Sequence, residues 1–183
     1  MNFLPLSIPD VILIEPQVFS DARGFFMETF HVDKFGEAGI PAAFVQENHS
    51  CSHRWVLRGL HYQVRQAQGK LLRVVNGETY DAVVDLRRSS PFFGKWTATH
   101  LSARNKHLLW IPPGFAHGFL ALSEPAELIY AVTNRYAPQW ERTILWNDPD
   151  LGIAWPLAEG VSPLLSAKDL AGQPFRQAET FDE

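Results

Sequence analysis

Short stretches of alternating apolar and polar residues recur along the whole chain, each closed by Gly, Pro, Asn or Asp. A period of two marks strands with one buried face. It predicts strands over 11–15, 25–30, 43–50, 56–63, 70–75, 79–87, 95–102, 106–111, 118–122 and 127–134. In the 79–87 run, Ala82, Val84 and Leu86 interleave with Asp81, Val83 and Asp85. Asn76-Gly77 lies between two runs and predicts a type I′ hairpin, a turn that needs positive φ at both central residues. Gly59, inside the 56–63 run, predicts a bulge. Strict alternation would send Arg58 and His61 to opposite faces, and a bulge would re-aim one of them. Only 31–39 carries a helical pattern, closed by Gly39 ahead of Pro41. Many short strands and few helices predict an all-β sandwich or jelly roll, with the last part of the chain packed on it as short helices and loops.

Composition narrows this picture. At 183 residues, with no internal repeat and no Pro/Gly-rich linker, the chain reads as one domain over 1–183. With 46% hydrophobic and 20% charged residues it can build a core rather than stay disordered. A net charge of −4 excludes a surface that grips nucleic acid all over, while leaving room for a local anion pocket. Cys51 is the single cysteine, which excludes an intrachain disulfide and a cysteine-rich zinc site. The first ten residues lack the basic-then-apolar pattern of a signal peptide, and no apolar run is long enough for a bilayer. The expectation is a cytoplasmic protein without membrane contact.

Candidate chemistry concentrates where polar residues interrupt apolar strands. Arg58-Gly59-Leu60-His61-Tyr62-Gln63 follows Trp55-Val56-Leu57, Lys70 opens the next run, and Tyr130 ends Glu127-Leu128-Ile129-Tyr130. Pro113-Gly114-Phe115-Ala116-His117-Gly118-Phe119 sets a histidine among aromatic residues. If these strands line one jelly roll, two imidazoles, a phenol, an arginine and a lysine converge inside apolar walls, the usual make-up of a ligand site. Taken singly, each has a plainer reading: a hydrogen-bonded strand histidine, a core tyrosine with its hydroxyl at the rim, surface salt bridges. A jelly-roll metal site would need an His-x-His pair, a later Glu and a distant His; His61 and His117 stand alone, so no metal is expected. Phosphate loops, dinucleotide fingerprints and nucleophile elbows are absent.

Read in order, these segments resemble the dTDP-4-dehydrorhamnose 3,5-epimerase family. The resemblance rests on Phe19-Ser20-Asp21-Ala22-Arg23-Gly24-Phe25-Phe26, Phe44-Val45-Gln46-Glu47-Asn48-His49-Ser50, the Arg58–His61 and Gln68-Gly69-Lys70-Leu71 segments, and the His117 turn. Trp146-Asn147-Asp148-Pro149 and Ser166-Ala167-Lys168-Asp169 complete it. It implies a cupin-like double-stranded β-helix, a homodimer, no metal or organic cofactor, and a dTDP-4-keto-6-deoxy sugar inverted at C3 and C5. By resemblance, His61 is the base, Asp169 its orienting carboxylate, Lys70 the cation facing the enolate and Tyr130 the acid. Arg23, Glu28, Gln46, Glu47, Asn48, Arg58, His117, Glu141 and Lys168 are substrate contacts by the same resemblance, with Arg23 and Glu28 reaching a neighbouring subunit's site. Two positions depart from the family pattern: Glu47 stands where Asp is usual, and Ala131 follows Tyr130 where relatives carry Lys. Relatives that invert one carbon share most of these motifs, so a single-carbon epimerase is the alternative, and a non-catalytic sugar-binding jelly roll a further one.

Overall fold

The computed structural model describes residues 1–41 and 43–182. Its strands are β1 (Asn2–Pro5), β2 (Ile12–Glu15), β3 (Val18–Asp21), β4 (Gly24–Met27), β5 (Gln46–Ser52), β6 (Leu57–Gln63) and β7 (Lys70–Asn76). The chain continues through β8 (Glu78–Asp85), β9 (Trp96–Ser102), β10 (Leu108–Ile111), β11 (Phe115–Ala121), β12 (Ala126–Val132) and β13 (Glu141–Thr143). Helix α1 spans Val32–Glu37 and α2 spans Ala167–Leu170. A six-stranded sheet in the order β1-β2-β10-β7-β12-β5 and a five-stranded sheet, β13-β6-β11-β8-β9, form the expected double-sheet jelly roll. Among the described residues no helix is long and apolar enough to cross a membrane.

Alternation decides which side chains share each layer. Leu72, Val74, Val83, Leu101, Leu109, Phe115, Phe119 and Leu128 meet between the two sheets. Ala82, Val84 and Leu86 face the opposite side of β8, where Leu151, Ile153, Trp155 and Phe175 cover them. Phe35 of α1 closes a third cluster with Leu71, Leu108 and Trp110 on the outside of the six-stranded sheet. Full burial of a Leu-sized side chain contributes roughly 1.5–3 kcal/mol, so these layers supply the main drive for folding.

Asn76-Gly77 does not form a hairpin. β7 pairs with β10 and β12, whereas β8 pairs with β11 and β9, so Gly77 carries the chain from one sheet to the other. Its φ of +75° and the closeness of Ser123 Oγ and Pro125 O leave no room for a Cβ. Of the two positive φ values that a type I′ turn needs, only that of Gly77 is present, while Asn76 remains the extended last residue of β7; long-range pairing decided the strand partners.

The bulge at Gly59 is present. His117 pairs with His61 and Phe119 with Arg58, so β6 carries one extra residue against β11. A Cβ on Gly59 would strike the backbone of Gly118, which restricts the position to glycine. The run over 25–30 narrows to β4 and pairs with β3, where Phe19 faces Phe26 across an exposed hairpin. That ribbon has no buried face in this chain, so β3 carried no alternation to read.

Candidate active site

The bulge brings Arg58 onto the inward face that His61 already occupies, while Leu60 and Tyr62 point to the outer cluster. On the facing sheet, β12 alternates so that Leu128, Tyr130 and Val132 turn inward. Register then aligns Lys70, Val132 and Gln46 in one row and Leu72, Tyr130 and Asn48 in the next. The sequence's candidate base and candidate acid therefore come from opposite walls of the barrel.

His61 Nε2 lies 2.6 Å from Asp169 Oδ1, and the imidazole is partly open while the carboxylate is buried. Asp169 reaches His61 through α2: Ser166 caps the helix, donates its hydroxyl to Asp169 Oδ2 at 2.6 Å and accepts from the Asp169 N–H. The Gly59 N–H donates to Asp169 Oδ1 at 3.1 Å, so the bulge also holds the carboxylate. Burial pushes the Asp169 pKa up, but the His61 and Ser166 hydrogen bonds outweigh it and hold it down at about 2. An ionised Asp169 fixes the proton of neutral His61 on Nε2 and leaves Nδ1 as a lone pair.

Lys70 is buried, and its Nζ donates to the His61 carbonyl at 3.3 Å. Burial lowers its pKa to about 8, opposed by the Glu141 charge. His117, the cross-strand partner of His61, places Nε2 3.0 Å from Asp81 Oδ1. Burial lowers the His117 pKa, and the Asp81 hydrogen bond opposes that. Tyr130 is raised by burial, with the Arg58 charge pulling the other way. Glu141 accepts from Lys168 Nζ at 2.8 Å and from the Tyr136 hydroxyl at 2.9 Å. Gln46 Nε2 donates to Asn48 Oδ1 at 2.8 Å, and Arg58 Nε donates to Ser52 Oγ at 3.1 Å. A cavity of about 330 Å³ runs along Arg58, His61, Ser166, Lys168 and Asp169.

Three expected contacts are not brought to this cluster. Glu47 sits between Gln46 and Asn48 on β5, so it points to the outer face, into a groove with Phe30, Phe44, Leu71 and Arg73. Arg23 closes on Asp21 at 2.6 Å in the exposed β3–β4 hairpin, and Glu28 accepts from Lys34 at 2.7 Å. Ala131 also lines the outer groove, so the departure beside Tyr130 does not alter the inner wall. The sequence reading gave no role to Asp81 or Ser166. Asp81 had a signal, a carboxylate inside an apolar run; the part of Ser166 emerges only once α2 folds back on β6.

The family model described as dTDP-4-dehydrorhamnose 3,5-epimerase matches residues 5–177. The enzyme of that name from Pseudomonas aeruginosa is 59% identical over 99% of both chains. The structure of dTDP-6-deoxy-D-glucose-3,5-epimerase from Legionella pneumophila in complex with dTDP-4-keto-L-rhamnose superposes with a TM-score of 0.95 at 44% identity, covering 100% of this chain and 98% of that one. A 3′-monoepimerase from Streptomyces bikiniensis in complex with dTDP-quinovose gives a TM-score of 0.87 at 38% identity, covering 93% and 86%. With residues 5–177 matched and a relative at 59% identity over nearly the whole length, the chain belongs to the dTDP-4-dehydrorhamnose 3,5-epimerase family.

Proposed function

We propose that the barrel mouth epimerises a dTDP-4-keto-6-deoxy sugar at C3 and C5, with His61 as base, Tyr130 as acid and Lys70 as the cation beside the ketone oxygen. The observation that carries this reading is the placement of His61 and Tyr130 on facing sheets. A C–H bond beside a ketone is weakly acidic because its electron pair moves onto the carbonyl oxygen as the proton leaves. His61 Nδ1 takes that proton, and Asp169 stabilises the imidazolium. Lys70 stabilises the enolate oxygen where negative charge develops, usually the largest single catalytic effect. Reprotonation of the carbon by the Tyr130 hydroxyl from the opposite side inverts the centre. One group on one side would only return the original configuration.

Arg58, Gln46, Asn48, His117, Glu141 and Lys168 surround this set as substrate contacts; Arg58 and Lys168 bring positive charge suited to a diphosphate. Arg23 and Glu28 reach the site of a neighbouring copy in a homodimer. Support comes from the hairpin that carries Arg23: Phe19, Phe25 and Phe26 are 56%, 58% and 71% exposed in the single chain. The whole reaction takes place in the cytoplasm.

Inversion at both carbons is favoured over one by the 59% identity to the Pseudomonas enzyme, against 38% to the 3′-monoepimerase. Proton NMR in D2O with dTDP-4-keto-6-deoxyglucose tests this. Deuterium at both C3 and C5 is expected; deuterium at one carbon would establish a single-carbon epimerase, and at neither a binding protein.

A further inference from the structure

Asp81 is the least explained charge in the barrel. It lies mid-strand in β8 with no exposed surface, although ionised carboxylates are almost never fully buried unless paired. Its partners are His117 Nε2 at 3.0 Å on one oxygen and the Thr79 hydroxyl on the other. Thr79 is itself fully buried one inward position along the same strand, so the carboxylate is held from behind and aimed at one imidazole. The pairing parallels His61–Asp169, and the two histidines are direct cross-strand partners. In both dyads the ring meets the carboxylate through Nε2.

We infer that Asp81 is a positioning residue for the reaction: by accepting from His117 Nε2–H it fixes the tautomer whose Nδ1 accepts a hydrogen bond from a hydroxyl of the bound sugar. The inference rests on the epimerase reading above. A carboxylate can only accept, so an ionised Asp81 cannot pair with a deprotonated Nε2. The opposite tautomer would point a second N–H donor into a space where Lys70 already supplies the donor for the ketone oxygen. A proton-accepting Nδ1 instead distinguishes hydroxyl from ketone, holding the ring so that the ketone falls to Lys70. Burial of His117 favours its neutral form, in which this distinction exists.

The test is long-range proton–nitrogen NMR of the imidazoles in labelled protein, together with kcat and KM on dTDP-4-keto-6-deoxyglucose. In the wild type the proton of neutral His117 is expected on Nε2. Asp81→Asn can donate as well as accept, so it should shift the His117 proton towards Nδ1 and leave the His61 ring unchanged. kcat/KM should fall by about tenfold to a hundredfold, the factor carried by one hydrogen bond at a buried polar group. Thr79→Val, which keeps the carboxylate but removes its rear anchor, should move both readouts in the same direction by less. A wild-type proton on Nδ1 overturns the inference without any variant. So does an Asp81→Asn or Thr79→Val protein that loses thermal stability alone, with tautomer and turnover unmoved. If Asp81→Asn does not fold, the wild-type spectrum and Thr79→Val decide. Absence of solvent deuterium in the wild-type product would instead overturn the epimerase reading, a separate result from the tautomer.

Discussion

Two buried polar networks occupy different parts of this barrel and are built to different ends. At the corner after β8, Asp85 accepts from the Arg87 N–H at 2.9 Å, Arg87 Nε at 3.0 Å, Arg87 Nη2 at 2.7 Å and Ser90 Oγ at 2.6 Å. Arg87 also reaches Asp10 at 2.7 Å. Burial pushes the Asp85 carboxyl up, and the Arg87 and Ser90 hydrogen bonds bring it below the ordinary range. Its lone pairs are spent inside the protein. At the barrel mouth, His61 and His117 each spend one ring nitrogen on a carboxylate, and Lys70 is buried with only a carbonyl for its hydrogen bond among the described residues. The closed network stabilises a bend; the open one keeps donors and acceptors for something that arrives. Buried charge alone does not separate structure from chemistry, but unspent valence does.

The comparison predicts that substitutions at the mouth cost turnover and substitutions at the corner cost stability. The largest effect is expected for His61→Ala, which removes the proposed base and should reduce turnover by about 10²–10⁴-fold with the fold intact. Circular dichroism and turnover on one sample measure this, and more than a few per cent residual activity would move the base elsewhere. Tyr130→Phe removes one hydroxyl from a side chain that keeps its packing. His61 and Lys70 still form the enolate, so deuterium exchange with retention should persist while inverted product falls by about 10²–10⁴-fold. Near-normal inversion would move the acid to Tyr136, whose hydroxyl is already bound to Glu141 at 2.9 Å.

Lys70→Met sharpens the contrast because the two readouts should move in opposite directions. Loss of the cation should reduce turnover by about 10²–10³-fold. Stability should rise at neutral pH, since burial holds Lys70 at about 8 against an ordinary 10.5 and the charged form is destabilised in the fold. Between those values the unfolded chain binds more protons than the folded one, so the wild type gains stability as pH rises from about 8 to 10.5. The variant should lack that gain in denaturant titrations across the same range. The wild-type pH–rate profile should show an alkaline limb near 8, as Lys70 loses the charge that faces the enolate.

Legibility in the sequence follows the same division. Period-two alternation placed the strand runs around β5 to β12 because it is a local constraint on each run, but it did not tell inner from outer on β8, β10 and β11, where both faces are buried. Gly59 announced its bulge for the same reason: a missing side chain is visible locally. Asn76-Gly77 misled because its signal is the positive φ, whereas sheet membership depends on β10 and β12, far away in the chain. Arg58, His61, Lys70, His117 and Tyr130 were legible as polar interruptions of apolar strands, whereas Asp169, Gln46, Asn48, Glu141 and Lys168 came only from the family resemblance. Glu47 was misplaced because the family motif lists neighbours without regard to the pleat, which turns it away from Gln46 and Asn48.

Asp85→Ala tests the closed network. It leaves Arg87 with Asp10 alone and the corner donors unmet, at a cost of about 1–3 kcal/mol. For a chain of this size that lowers Tm by roughly 2–4 °C per kcal/mol. The kcat value should stay at wild type, because Asp85 lies four residues along β8 from Asp81 and touches none of the mouth residues. A fall in kcat without a fall in Tm would erase the distinction between the two networks.

Ser166→Ala gives the smallest expected effect and the finest test, because Ser166 belongs to both descriptions. Its side chain caps α2 by accepting from the Asp169 N–H, and its hydroxyl donates to Asp169 Oδ2. Losing an N-cap of this kind costs about 1 kcal/mol. Losing the hydroxyl also removes one of the hydrogen bonds that hold Asp169 at about 2, so its pKa should rise towards the ordinary 3.8. A carboxyl held below its unfolded value stabilises the fold above that value and loses the contribution as pH falls through the folded one. In acid titrations the variant should therefore begin to unfold at higher pH than the wild type. Asp169 keeps His61 and the Gly59 N–H, so the loss reaches turnover only through the carboxylate and should stay within about tenfold, the factor set by a net hydrogen bond of about 1 kcal/mol. A loss as large as that of His61→Ala would mean that the capping serine itself takes part in the proton transfer; an unchanged acid limb would mean that His61 and Gly59 alone hold the carboxylate.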